Sequence, residues 1–429
     1  MVISRYALPA MAELWSDQTR LRTWVRVEVL ATQAQGRLGR VPQPAVAEIS
    51  RAPVPTPERV RELERERDHE ILAFLSAFCE RLPEDSARWV HLGMTSYDVV
   101  DTALGHTLAR SGDLVLQAAT GLRATLATRA QEHWNTLCIG RTHGMHAEPT
   151  TFGHKLAGFA FAIDRSIHRL RAARAAVAVG TISGSVGTYS LIDPYVEQEV
   201  CRELGLGVEP APSQVVARDR HAEMVLALAT LGACVEQIAT EIRLLSRSEI
   251  REVEEPRPGR YQGSSAMPHK RNPTGSERLV GLARLLRGHA GAVLEDVALW
   301  HERDLSHSSV ERVVLPDSMM LAHYQVRAAD DLVAELRVDT GRMRAALEQG
   351  NGLIYSSAVL AELLERGVER EAAYRGVQAA ADGAARGAEN FEVLLRRSGL
   401  DVGKLRPERF LEHHDVVLKR LEMLSHVAD

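Results

Sequence analysis

GSSAMPHKRNP, residues 263–273, is the stretch around which the rest of the chain is organised. It gathers small, hydroxyl-bearing and cationic residues between two segments of helical character. Gly263 opens backbone angles closed to other residues, Ser264 and Ser265 supply hydroxyls, and Pro268 and Pro273 stop a helix from running through. Lys270 and Asn272 add a point charge and an amide donor two residues apart, a pair suited to a carboxylate. From composition alone the stretch reads equally well as a solvated interhelical loop.

Outward from it, the pattern is helical. Proline ends or kinks helices, and its spacing leaves proline-free runs at 84–148, 150–193, 213–255, 274–315 and 317–406. Helices are predicted over 17–36 with Asp17 as cap, over 58–81, from about 98 to 134 with Thr95 or Ser96 as cap, and over 151–178. Three more are predicted over 219–252, 274–301 and 306–337, and shorter ones after about 340. Residues 140–149 read as a polar turn. Strand signals are sparse, so an all-α fold of long helices packed as a bundle is expected.

With 429 residues, 45% hydrophobic and 25% charged, the chain has the balance of a soluble globular protein. Its net charge of −5, without a long basic run, gives no reason to expect a nucleic-acid partner. Cys79, Cys138, Cys201 and Cys234 are far apart and form no CxxC pair, which fits a reducing cytoplasm and suggests no structural zinc. Neither an export signal nor an uninterrupted apolar span is expected, and hence no membrane partner.

Four polar loops interrupt the helices: around His69, around Thr95-Ser96, around His143, and at 263–273. An imidazole titrates near neutral pH, so His143 can serve as a general acid or base, or as a hydrogen-bonded turn residue. No HExxH, GxGxxG or GxxxxGK[ST] pattern appears, so metal, dinucleotide and P-loop chemistry recede. In 300–312, WHERDLSHSSVER, Arg303, Ser308 and Arg312 make a phosphate clamp or a salt-bridged helix end.

These motifs resemble the fumarase/aspartase superfamily, whose members eliminate fumarate from a substituted succinate. GSSAMPHKRNP followed by Glu277 matches its signature. Ser4-Arg5-Tyr6, HLGMTSYDVVDTAL (91–104), GRTHGMHAEPTTFG (140–153) and WHERDLSHSSVER look like the branch that cleaves adenylosuccinate. The resemblance implies a three-domain all-helical subunit, here 1–93, 94–340 and 341–429, with a central long-helix bundle. It also implies a homotetramer with a 20-helix core and shared active sites, and no cofactor or metal.

The implied activity is that of a carbon–nitrogen lyase of purine biosynthesis. It eliminates fumarate from adenylosuccinate, giving AMP, and from succinylaminoimidazole carboxamide ribotide, giving AICAR. By the same resemblance Ser264 is the general base and His143 the general acid, a choice of hydroxyl that spacing cannot make against Ser265. Lys270, Asn272, Thr95 and Ser96 would hold the carboxylate. Arg5, Tyr6, Arg303, Ser308 and Arg312 match the nucleotide-binding set, and His91 and Gln214 line the site. The family's Arg-His-Asp reads here as Arg67-Asp68-His69-Glu70, which carries substrate binding to Arg67, Asp68 and His69. A sister lyase acting on another N-succinyl or nucleotide-like compound is the alternative, and a catalytically silent helical scaffold the other.

Overall fold

The computed structural model describes residues 4–256, 266–387, 389–400 and 402–426. Five helices dominate it: Ser96–Glu132, Phe152–Val177, Asp219–Leu245, Thr274–Glu295 and Ser306–Ala334. Ala and Leu, the best helix formers, recur along them, and proline enters only at Pro316. Pro316 brings no N–H to the carbonyl of Arg312, a break in the ladder that flanking helix tolerates. About 67% of the chain is helical, and the all-α class holds.

Among the described residues there are three two-stranded pairs. Leu137–Thr142 pairs antiparallel with Met145–Thr151, Val179–Gly180 parallel with Gly207–Val208, and Val253–Glu254 antiparallel with Arg337–Val338. The first corrects the expectation of a plain polar turn at 140–149. The single helix expected over 58–81 is two, Pro57–Arg67 and Glu70–Cys79, because Asp68 adopts left-handed backbone at φ 51° and His69 caps the second helix. Two long helices also end sooner than expected, at Leu245 instead of 252 and at Glu295 instead of 301. Ser16, not Asp17, caps the helix Asp17–Arg37, accepting from the Thr19 N–H at 3.2 Å.

Two compact units divide the chain. The first comprises Met1–Thr120, Arg165–Val235 and Gly281–Arg327, the second Gly121–Asp164, Glu236–Val280 and Ala328–Asp429. The division falls inside all five long helices. In the first unit Trp24 meets Phe74 edge-on at 5.3 Å, and Phe74 stacks on Phe78 at 6.1 Å. Leu21, Val27, Ile49 and Val196 fill the space around them. Each such side chain stabilises the fold by about 1.5–3 kcal/mol on burial. The second unit has a core of Val359, Leu363, Phe391 and Leu395, and a smaller one where Ile139 meets Ala346, Leu347 and Ile354.

Helix Asp219–Leu245 is long and apolar enough, at a mean hydropathy of 1.5, to pass as a membrane span by composition. This qualifies the expectation that no window comes near one. Its Val225, Leu228, Leu231, Val235 and Ile238 are buried within the protein.

Candidate active site

In the first unit, the loop before helix Ser96–Glu132 is held by two buried carboxylates. Glu28 accepts from the His91 backbone N–H at 3.0 Å and lies 2.6 Å from His91 Nδ1. Burial is the largest influence and opposes the charged imidazole, but the Glu28 hydrogen bond and the charges of Glu28 and Asp98 together outweigh it and raise the His91 pKa. Asp98 reaches back to the Thr95 N–H at 2.7 Å, as a capping-box residue does, and takes the Ser183 N–H at 2.9 Å. Its burial lifts the carboxyl to about 6 against the pull of those N–H donors. Gly93 is required here: at φ 74°, a Cβ would stand 2.6 Å from the Leu191 carbonyl oxygen. Thr95 and Ser96 are therefore presented by a loop with little freedom.

Tyr97, the next residue, is a platform. The Arg303 guanidinium lies 3.6 Å from its ring centroid, in cation–π contact. Arg303 Nη1 donates to Gln214 Oε1 at 2.9 Å, and Gln214 Nε2 donates to the Ser185 carbonyl at 2.9 Å. Behind them Arg218 makes a two-pronged pair with Asp101, at 2.6 and 2.9 Å, and lies 3.1 Å from Glu311. Glu311 in turn meets His307 Nδ1 at 3.1 Å. Burial would raise the Glu311 carboxyl, yet the His307 hydrogen bond and the charges of His221 and Arg218 bring it down to about 2. Asp101, Arg218, His221, His307 and Glu311 are all buried.

Ser308 and Arg312 sit four residues apart on helix Ser306–Ala334 and so share a face. Arg312 is ion-paired with Glu70, which also takes Arg20 at 3.0 Å. Glu70 follows His69, whose Nδ1 accepts the Leu72 N–H at 3.2 Å. His69, Asp68 and Arg67 are exposed at the break between the two short helices. Arg5 and Tyr6 lie on a turn of 3-10 helix, Ser4–Tyr6, with Tyr6 edge-on to Tyr324 at 5.2 Å.

The second unit carries His143. It occupies, with Gly144, the two-residue loop joining Leu137–Thr142 to Met145–Thr151, at φ 54° and 79°. Two positive φ values make this the turn whose twist suits a tight hairpin. The imidazole is exposed and has no hydrogen-bond partner among the described residues. Gly140, at the irregularity in the pairing, admits no side chain, since a Cβ would come within 2.8 Å of the Glu148 carbonyl oxygen.

One acidic segment ties this hairpin to the signature stretch. Buried Glu252 takes Arg141 Nη1 at 3.1 Å, and Glu254 takes Arg271 Nη1 at 2.7 Å. Glu255 accepts the N–H groups of Gly275 and Ser276 at 2.9 and 2.7 Å, satisfying the first turn of helix Thr274–Glu295. Lys270 and Asn272 stand just before that turn, Lys270 exposed and Asn272 half-buried. Ser264 lies outside the described residues.

Of the residues singled out in the sequence, the structure joins Arg303 directly to Gln214, puts Ser308 and Arg312 on one face, and sets His91, Thr95 and Ser96 on one loop. His143, Lys270 and Asn272 belong to the second unit. Tyr97, Asp101, Arg218, His307, Glu311 and Glu252 escaped sequence reasoning. Tyr97 with Asp101 and His307 with Glu311 left a trace there, as i, i+4 pairs inside HLGMTSYDVVDTAL and WHERDLSHSSVER. No group of three or more His, Cys, Asp or Glu among the described residues is placed to hold a metal ion.

A model of the family described as "Lyase" matches residues 7–288. Among solved structures, the chain superposes on a fumarate lyase from Mesorhizobium sp. BNC1 with a TM-score of 0.84 at 29% identity, over 98% of this chain and 95% of that one. Fold and matched family together define a lyase of the fumarase/aspartase superfamily. The sequence is 49% identical to the adenylosuccinate lyase of Synechocystis sp., covering 92% of each chain. It is 42% identical to the adenylosuccinate lyase of Bacillus subtilis strain 168, covering 96% of each. The chain belongs to the adenylosuccinate lyase family.

Proposed function

We propose that this protein eliminates fumarate from adenylosuccinate, releasing AMP, and from succinylaminoimidazole carboxamide ribotide, releasing AICAR. The observation that carries the reading is the 49% identity to an adenylosuccinate lyase across nine-tenths of both chains. In the reaction Ser264 Oγ, as alkoxide, takes a proton from the succinyl β-carbon. The resulting carbanion is delocalised into the adjacent carboxylate, whose oxygens Lys270, Asn272, Thr95 and Ser96 hold. Its electron pair then forms the fumarate double bond as the carbon–nitrogen bond breaks, and His143 protonates the departing nitrogen. The imidazole, exposed at the hairpin tip and without a hydrogen-bond partner among the described residues, suits a group that must meet a substrate atom.

Arg303, Ser308 and Arg312 bind the nucleotide phosphate, with Arg5, Tyr6, Arg67, Asp68, His69, His91 and Gln214 completing the binding set. Support comes from the stacked, presented guanidinium of Arg303 and from the common face of Ser308 and Arg312. In this reading the subunit has domains at 1–93, 94–340 and 341–429, needs no cofactor, and works in the cytoplasm as a homotetramer whose subunits share active sites. The test is an absorbance assay of fumarate formation from each succinyl nucleotide by the purified protein. Turnover of both is expected, and no fumarate from either would overturn the assignment.

A further inference from the structure

One contact of Arg303 dictates the state of a buried histidine. His307 is fully buried, with Nε2 3.4 Å from Arg303 Nε and Nδ1 3.1 Å from Glu311 Oε2. Arg303 Nε carries a hydrogen and accepts nothing, so Nε2 must offer its lone pair. The ring proton then sits on Nδ1 and is donated to the Glu311 carboxylate.

The opposite tautomer would let Nδ1 accept from Arg218 Nη2 at 3.4 Å. Arg218 Nη2 already has Asp101 at 2.9 Å, so it gains little. That arrangement would also face Arg303 N–H with N–H and turn a lone pair toward a carboxylate. An imidazolium would satisfy Glu311 and oppose Arg303. The Arg303 N–H facing Nε2 and the Glu311 carboxylate facing Nδ1 together select the neutral Nδ1–H form. The Tyr97 ring closes the remaining side, edge-on at 5.5 Å.

We propose that His307 is a positioning residue which, through the relay Glu311–His307–Arg303, presets the Arg303 guanidinium for the phosphate of the succinyl nucleotide. With Nε on His307, Nη1 on Gln214 and the face on Tyr97, Nη2 is, among the described residues, the edge left for the incoming anion. Arg303 thus enters binding already ordered, and its side-chain entropy is spent in folding. The relay rests on the reading of Arg303 as a phosphate contact, and the experiment separates the two.

The measurement compares kcat/KM for adenylosuccinate with that for its dephosphorylated nucleoside in wild type, Arg303→Ala, His307→Phe and His307→Gln. Arg303→Ala is expected to collapse the preference for the nucleotide; if the preference survives, the phosphate reading fails and the relay with it. His307→Phe keeps the ring and loses the acceptor. It is expected to lose about tenfold more with the nucleotide than with the nucleoside, chiefly through KM, as befits a lost hydrogen bond to a charged group. His307→Gln, whose amide both accepts and donates, restores most of the preference. Equal losses on both substrates by His307→Phe, beside a collapsed Arg303→Ala, would mark His307 as merely structural and overturn the relay. Independently of whether the Phe variant folds, the 15N spectrum of wild type minus that of His307→Gln must show a neutral, Nδ1-protonated ring at pH 7.5. An Nε2-protonated ring or an imidazolium there would equally overturn the proposal.

Discussion

Arg303, in the first unit, rests on Tyr97, Gln214 and His307, and these are backed by buried Arg218, Asp101 and Glu311. His143, in the second, has no side-chain partner among the described residues and is aimed by two residues of positive φ and the strands below. In the proposed reading the binding group Arg303 is held by charge and the proton donor His143 by backbone. The difference fits their tasks. A guanidinium that meets a fixed phosphate gains from being ordered beforehand, whereas an imidazole that gives up a proton needs the nitrogen carrying it open to the substrate.

The contrast breaks most visibly where charge is buried. Arg218→Met leaves Asp101 and Glu311 uncompensated and is expected to destabilise the protein by about 3–5 kcal/mol, read by chemical denaturation. A loss below about 1 kcal/mol would mean that the ion pairs are not what holds this region. His143→Ala and Ser264→Ala are expected to lower kcat at least about a hundredfold with an unchanged melting temperature. Near-native fumarate release by either would remove it from the chemistry.

Arg303→Ala should weaken substrate affinity about tenfold while kcat stays close to wild type, checked by initial-rate kinetics. A fall in kcat alone would move Arg303 from the binding side of the comparison to the chemical one. Gly144→Ala strains the hairpin loop by roughly 1 kcal/mol and should lower kcat a few-fold without raising KM, because only the aim of His143 changes.

A last effect is one of acidity. Glu311 ordinarily titrates at 4.5 and here at about 2, so it is depressed in the folded state. Its stabilisation is complete above pH 4.5 and fades as pH falls toward 2. The stability gap between wild type and Glu311→Gln should therefore narrow over that window. A gap that stays constant would place the carboxyl's support elsewhere.

The long helices were legible because proline marks their limits and alanine and leucine fill them. Their C-terminal ends were not, since neither glycine nor proline follows Leu245 or Glu295 closely enough to announce a stop. The hairpin around His143 was hidden by its composition. His-Gly is not a common hairpin dipeptide, and although Met145, Ala147 and Pro149 alternate with polar residues, residues 145–149 contain none of Val, Ile, Thr, Tyr, Phe or Trp and do contain a proline. Motifs drew attention to Arg303, Ser308, Arg312, Lys270 and Asn272, because polar groups at fixed spacing stand out in a sequence. The supports could not be found that way. Arg218 meets partners 117 and 93 residues away, and Glu252 meets Arg141 across 111, distances over which only the finished fold brings charges together.

The hairpin has one more consequence, for how this stretch tolerates change in length. Thr142 faces Met145 with nothing but His143 and Gly144 between them. Successive side chains in a strand point to opposite faces, so adding or removing one residue after Gly144 would exchange inward and outward positions along Met145–Thr151. Pro149 and Thr151, now buried, would turn outward while exposed Glu148 turned in. Substitutions here alter a contact; insertions would reverse a whole strand, and the tip behaves as a ruler whose count is set at two.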